Sequence, residues 1–262
     1  MSLAACIQIN SIDNISHNIE QTHLYLQKAA EQGARLALLP EMFISLNAKH
    51  YAAIASDKTY LTLLSAWAKK YHLWLVAGAV PQPSPDGRMY SSSLVFNEYG
   101  DLVAQYNKMH LFDADVGDKQ GRYHESRLFA AGTEAVVVET PVGRLGLSIC
   151  FDLRFPQLFQ RLRSLGAEII TVPAAFTYLT GQAHWQVLLQ ARAIETQCYF
   201  MAANQCGWHD EKRQTWGHSQ IINPWGEVQA ELQDQTGIIS SNINLELLAD
   251  IRQKMPLNSA LL

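Results

Sequence analysis

Apolar positions along this chain change period repeatedly, and each change marks the end of an element. Residues 4 to 9 (Ala-Ala-Cys-Ile-Gln-Ile) read as a buried strand, after which Ile15, Ile19, Leu26 and Ala30 recur at helical spacing until Gly33 ends the helix. A second strand at 35 to 39 delivers Pro40 and Glu41 to its carboxyl end. Leu61, Leu64 and Ala68 place a helix over 57 to 71. Strands are expected near 73 to 79, 91 to 97 and 101 to 107, the last two joined by a tight turn at Tyr99-Gly100-Asp101. Pro81, Pro83, Pro85 and Gly87 mark an irregular loop between strands.

From about 109 to 132 no period holds, and stretches of this length inside compact domains are usually functional or disordered. The plan then recurs: strands near 134 to 140 and 144 to 149, a helix near 156 to 165, a strand at 168 to 172 and a helix near 182 to 197. Strands near 199 to 204, 218 to 223, 227 to 232 and 237 to 243 follow, with a short helix over 245 to 254.

Gly33-Ala34-Arg35-Leu36-Ala37-Leu38-Leu39-Pro40 and Gly166-Ala167-Glu168-Ile169-Ile170-Thr171-Val172-Pro173 share one pattern: glycine, alanine, a charge, an apolar run, then proline. Each half also runs strand, helix, strand, helix, then strands joined by turns. Neither half can cover both faces of its sheet alone, whereas stacking sheet on sheet with helices outside covers all of them. The expected fold is therefore α/β, a four-layer α-β-β-α sandwich of two pseudo-repeated halves in a single domain over residues 1–262.

Composition narrows the function. A formal charge of −4 and the lack of Lys/Arg clusters argue against nucleic acid, leaving a small molecule or a protein as partner. No apolar run is long enough to span a bilayer and the N-terminus has no leader-like segment, so neither a membrane nor export is expected. Cys6, Cys150, Cys198 and Cys206 form no C-x-x-C pair, which suits a reducing, cytoplasmic setting. The histidines have no H-E-x-x-H spacing and there is no glycine-rich phosphate loop, so neither a metal nor another cofactor is expected.

Cys150 is the candidate nucleophile. The apolar run from Leu145 to Ile149 stops at it, Asp152 and Arg154 follow, and Pro156 opens a helix, so the thiol stands at a strand-to-helix corner beside free backbone N–H groups. A lone cysteine is more often a small buried hydrophobe, and at a reference pKa of about 8.5 it needs help to react. Glu41 and Lys108, also at strand ends, offer a base and a cation. Pairing Cys150 with His184 or His218 in a papain-like manner would leave both without a role.

Leu39-Pro40-Glu41, Tyr106-x-Lys108-x-His110-Leu111-Phe112-Asp113 and Cys150-Phe151-Asp152-Leu153-Arg154-Phe155-Pro156, in that order, resemble the glutamate, lysine and cysteine blocks of the nitrilase superfamily of carbon–nitrogen hydrolases. The resemblance spans nearly the whole chain and implies the four-layer fold. It also implies an amidase without cofactor: Glu41 as general base, Lys108 and the Phe151 backbone N–H holding the oxyanion, and Cys150 forming a thioester. Glu125 in His124-Glu125-Ser126 matches the family's second glutamate, its alternative being a solvated loop carboxylate. Arg154, Phe176 and Thr180 match positions that contact the oxo-acid end of the substrate in acid-recognising members, the alternative for Arg154 being an internal carboxylate partner.

The segment from Thr180-Gly181-Gln182-Ala183-His184-Trp185 to Gly217-His218-Ser219 is especially similar to the deaminated-glutathione amidase branch. That similarity implies hydrolysis of an oxo-acid amide to 2-oxoglutarate and Cys-Gly. An ω-amidase releasing ammonia from 2-oxoglutaramate is the alternative, and a silent scaffold of the same fold is a third. The resemblance further implies a homodimer or larger homo-oligomer, and the few residues after Met255-Pro256 leave the C-terminal share of that interface open.

Overall fold

The computed structural model describes residues 1–257. The first half runs β1 (Ser2–Gln8), α1 (Ile15–Glu31), β2 (Leu36–Leu38), α2 (Tyr51–Ser56), α3 (Thr59–Tyr71), β3 (Trp74–Pro83), β4 (Met89–Phe96) and β5 (Leu102–Asn107). A small ribbon, β6 (Asp113–Asp115) and β7 (Arg122–His124), fills part of the stretch without periodicity. The second half runs β8 (Val137–Thr140), β9 (Gly143–Leu147), α4 (Pro156–Ser164), β10 (Ile169–Ala174), α5 (Tyr178–Thr196) and β11 (Tyr199–Asn204). It ends with β12 (Cys206–Trp208), β13 (Gln214–Trp216), β14 (Gln220–Ile222), β15 (Val228–Glu231), β16 (Gly237–Ile243) and α6 (Leu245–Lys254).

Two six-stranded sheets form, in the orders β16-β1-β2-β3-β4-β5 and β15-β14-β11-β10-β9-β8. β1, β2 and β3 are mutually parallel, as are β9, β10 and β11, and each trio continues into antiparallel strands. The matched segments ending in Pro40 and Pro173 thus lead through the equivalent strands β2 and β10, and the expected repeat is real. The trios are buried on both faces, which is why they read as unbroken apolar runs.

Side chains of β1 alternate between two layers. Ala5 and Ile7 pack with Leu26 of α1 and Trp67 of α3, whereas Ala4 and Cys6 point into the layer between the sheets. β1 and β2 lie against β11 and β3 against β10, while α4 and α5 cover the far side. The result is the α-β-β-α sandwich.

The structure corrects the proline-rich loop. β3 runs through Pro81 and Pro83, pairing them with Ser91 and Met89 of β4. On that edge β3 pairs with β2 only as far as Val76 and with Glu41 at Ala79, so the N–H groups these prolines lack are not required there. The expected helix over 57 to 71 is preceded by the short α2, and the β12–β13 hairpin was not foreseen.

Candidate active site

Three strand ends meet in one cleft. Glu41 follows β2, Lys108 follows β5, and Cys150 follows β9, and all three line it. Glu41 continues beside β3 as an isolated bridge to Ala79. Gly78 makes this possible, since a Cβ there would lie 2.1 Å from the Pro40 carbonyl oxygen. Lys108 is pinned on both backbone atoms: its N–H donates to Ser91 O at 2.9 Å and its carbonyl accepts from Gly132 N at 2.9 Å. Cys150 has φ +47°, the left-handed region, and opens a 3-10 turn that runs to Arg154. Such a strained corner turns the thiol out of the strand direction, and the first N–H groups of the turn, Phe151 included, lie outside its internal hydrogen bonding.

The Lys108 ammonium is shared between two carboxylates. Nζ donates to Glu41 Oε1 at 2.9 Å and to Glu125 Oε1 and Oε2 at 3.0 and 2.9 Å. Glu41 Oε2 accepts from Ala175 N at 2.9 Å, and Glu125 Oε2 accepts from Phe112 N at 2.6 Å. Glu125 is therefore fixed beside Lys108 and is not the solvated loop carboxylate of the alternative reading.

Burial sets the charge states. Burial alone pushes the Lys108 ammonium down, but Glu125, Glu41 and Cys150 outweigh it and hold the group well above its ordinary value. Burial, and then the Glu41 charge, raise Glu125 against the pull of Lys108. Burial also pushes the Cys150 thiol well up; Glu41 adds to the rise and Lys108 opposes it. The resting cysteine is thus held as a thiol with Glu41 beside it.

A further carboxylate organises this centre. Asp152 is fully buried and accepts four hydrogen bonds: from Ile149 N (2.9 Å), Tyr106 Oη (2.7 Å), His110 N (3.1 Å) and His110 Nδ1 (2.7 Å). His110 also stacks on Phe155, with ring centroids 3.7 Å apart. Asp152 thus binds the Cys150 turn to the Lys108 segment. Nothing in the sequence alone gives these residues a role; the signal is a charged residue two positions after the cysteine in a turn flanked by apolar runs.

Arg154, Phe176 and Thr180 all line the cleft. The Arg154 guanidinium sits 5.3 Å from the Phe176 ring centre and 5.8 Å from that of Phe151, with Nη1 3.3 Å from His184 Nδ1. Among the described residues it pairs with no carboxylate, which overturns its alternative reading. Thr180 Oγ1 lies 2.7 Å from Thr177 Oγ1, and Phe176 packs on the buried Trp185. His184 and His218 do not line the cleft; His218 stacks on Trp216 and meets Glu231, so no papain-like pair forms. Unforeseen was Arg213, brought in by the β12–β13 hairpin among Tyr51, Tyr123 and Phe129.

The cleft holds a cavity of about 210 Å³ and opens to solvent.

Known proteins resemble this chain over nearly its whole length. Residues 3–253 match the model of the carbon-nitrogen hydrolase family. The chain is 41% identical to deaminated glutathione amidase of Yersinia enterocolitica over 96% of its length and 90% of the relative's. It superposes on the crystal structure of the Caenorhabditis elegans NitFhit protein with a TM-score of 0.92 at 36% identity, covering 99% of this chain and 64% of that one. The structure of Saccharomyces cerevisiae Nit3, described as a member of branch 10 of the nitrilase superfamily, gives a TM-score of 0.89 at 28% identity, covering 99% and 96% of the two chains. This chain belongs to the carbon-nitrogen hydrolase family.

Proposed function

We propose that the protein is a thiol amidohydrolase that cleaves deaminated glutathione to 2-oxoglutarate and Cys-Gly. The observation that carries the chemistry is the Lys108 ammonium held 2.9 Å from Glu41 in the cleft that also contains the Cys150 thiol. The substrate comes from the likeness to deaminated glutathione amidase.

In this reading Cys150 Sγ attacks the amide carbon while Glu41 accepts the thiol proton, because a thiol whose ionisation is suppressed by burial needs a base at the moment of attack. The carbonyl oxygen becomes an oxyanion held by Lys108 Nζ and the Phe151 N–H, each such donor being worth about 10²–10³ in rate. Glu41 returns its proton to the leaving amine, the C–N bond breaks, and a thioester remains on Cys150. Water then attacks that thioester, giving up a proton to Glu41, and the thiol is regenerated. Glu125 holds Lys108 in line, while Arg154 forks to the carboxylate of the oxo acid beside Phe176 and Thr180.

The competing reading within the family, an ω-amidase acting on 2-oxoglutaramate, uses the same centre with ammonia as leaving group. Measuring kcat/KM for both substrates at equal concentration decides between them. A larger value for deaminated glutathione is expected; a larger one for 2-oxoglutaramate reverses the assignment.

A cytoplasmic homodimer or larger homo-oligomer belongs to the same proposal. All four cysteines are free thiols, no helix among the described residues is long and apolar enough to cross a membrane, and Leu179, Val187 and Ile194 of α5 are exposed apolar side chains suited to a second copy.

A further inference from the structure

Among the described residues, Arg213 is a cation without an ion-paired carboxylate. The Asp210 carboxylate at the tip of its hairpin is taken up by the backbone, accepting from Lys212 N at 2.7 Å and Arg213 N at 2.8 Å. The Arg213 side chain reaches instead into the cleft, where Nη1 donates to Leu46 O at 3.1 Å and the guanidinium lies 6.0 Å from the Tyr123 ring centre. Among the described residues no carboxylate lies within ion-pair distance of it, and its buried Nε has no hydrogen-bond partner. An unmade hydrogen bond on a buried charged group is costly, and a bound carboxylate would supply what is missing.

We infer that Arg213 is a specificity-determining residue that takes a carboxylate on the leaving-group side of the scissile amide. The inference rests on the amidase reading above. Arg154 stands on the Cys150 turn, next to Phe151 and Phe176, and there serves the acyl side. Arg213 lines the same cleft from a different element, the turn before β13, with Tyr51 and Tyr123 around it. An amide substrate with a carboxylate at each end matches this placement. A dipeptide leaving group extends about 7 Å beyond the amide, and Arg213 is close enough to the reaction centre for the charge of Glu41 to act on it. Ammonia as leaving group would make no use of such a cation.

The test compares deaminated glutathione with its glycinamide analogue, in which the terminal carboxylate becomes a neutral carboxamide, in the intact enzyme and in Arg213→Gln. The enzyme is expected to prefer the carboxylate about ten- to a hundredfold in kcat/KM, mostly through KM, as a charge-assisted fork would give. Arg213→Gln should bring that ratio close to one, and Arg213→Lys should keep part of it. Equal cleavage of the two substrates by the unmodified enzyme, or a preference that survives in Arg213→Gln, overturns the role of Arg213 and leaves the amidase reading intact. An enzyme that hydrolyses 2-oxoglutaramate but neither peptide substrate overturns both.

Discussion

Tyr106 donates its hydroxyl to Asp152 Oδ2 at 2.7 Å, and through that bond the strand that delivers the ammonium is tied to the turn that delivers the thiol. Asp152→Ala strands several buried donors at once, including the Ile149 N–H. A loss of about 3 kcal/mol or more in urea-unfolding free energy is expected, against about 1–2 kcal/mol for Tyr106→Phe, which removes one partner. Because both residues position the centre without touching substrate, the Tyr106→Phe enzyme should lose kcat while KM changes little. A rise in KM with kcat unchanged would contradict this positioning role.

Glu125 grips Lys108 through both of its oxygens. Glu125→Gln keeps the shape and removes the charge that holds the ammonium. Steady-state kinetics should show kcat reduced by about ten- to a hundredfold, the loss expected when one charged hydrogen bond at a reacting centre is weakened. Unchanged turnover would rule out a part for Glu125 in the reaction.

Gly78 supports Glu41 by having no side chain. An added Cβ would meet the Leu39 and Pro40 carbonyl oxygens at 2.4 and 2.1 Å, so Gly78→Ala must push the Glu41 segment away from β3. The expected result is destabilisation by about 1–3 kcal/mol in urea, as for overpacked sites, together with loss of turnover. Retained activity and unchanged stability would show that the segment yields freely.

His209 gives the fold an acid limit. Burial, reinforced by Arg213, pushes its pKa from 6.5 down to about 3. The neutral ring sits with Nδ1 2.9 Å from Ser11 O and Nε2 2.7 Å from Thr215 Oγ1. The unfolded chain takes up a proton near pH 6.5 that the folded chain refuses, so this contribution is complete above pH 6.5 and is lost as pH falls toward 3. One proton corresponds to about 1.4 kcal/mol per pH unit, or about 2 kcal/mol between pH 7 and 5. Urea unfolding at both pH values should show a smaller drop for His209→Asn, which keeps a donor toward Ser11. An identical drop would remove His209 as the cause.

What the sequence revealed depended on how local the signal was. The positions of Glu41 and Cys150 were legible because each ends an apolar run, whereas Lys108 follows the mixed strand β5 and stood out through its match to the family's lysine block. The paired segments ending in Pro40 and Pro173 marked the repeat because β2 and β10 do the same structural task. Arg213 was not legible: it sits in the turn just before β13, a strand of three residues too short to show a period, and only long-range packing brings it beside Tyr51 and Tyr123. Asp152 was seen but not understood, since two of its donor residues, Tyr106 and His110, lie more than 40 residues away, and one carboxylate cannot announce partners at that distance. Pro81 and Pro83 misled because their effect depends on which strand edge they face.

The central claim is that Cys150 carries the acyl group during turnover. Acid-quenching the enzyme during turnover of deaminated glutathione, followed by peptide mass spectrometry, tests it most directly. The account predicts a 2-oxoglutaryl adduct on the peptide containing Cys150, and neither adduct nor product in folded Cys150→Ala. Product formation at the wild-type rate by that variant, or an adduct on another residue, would contradict it.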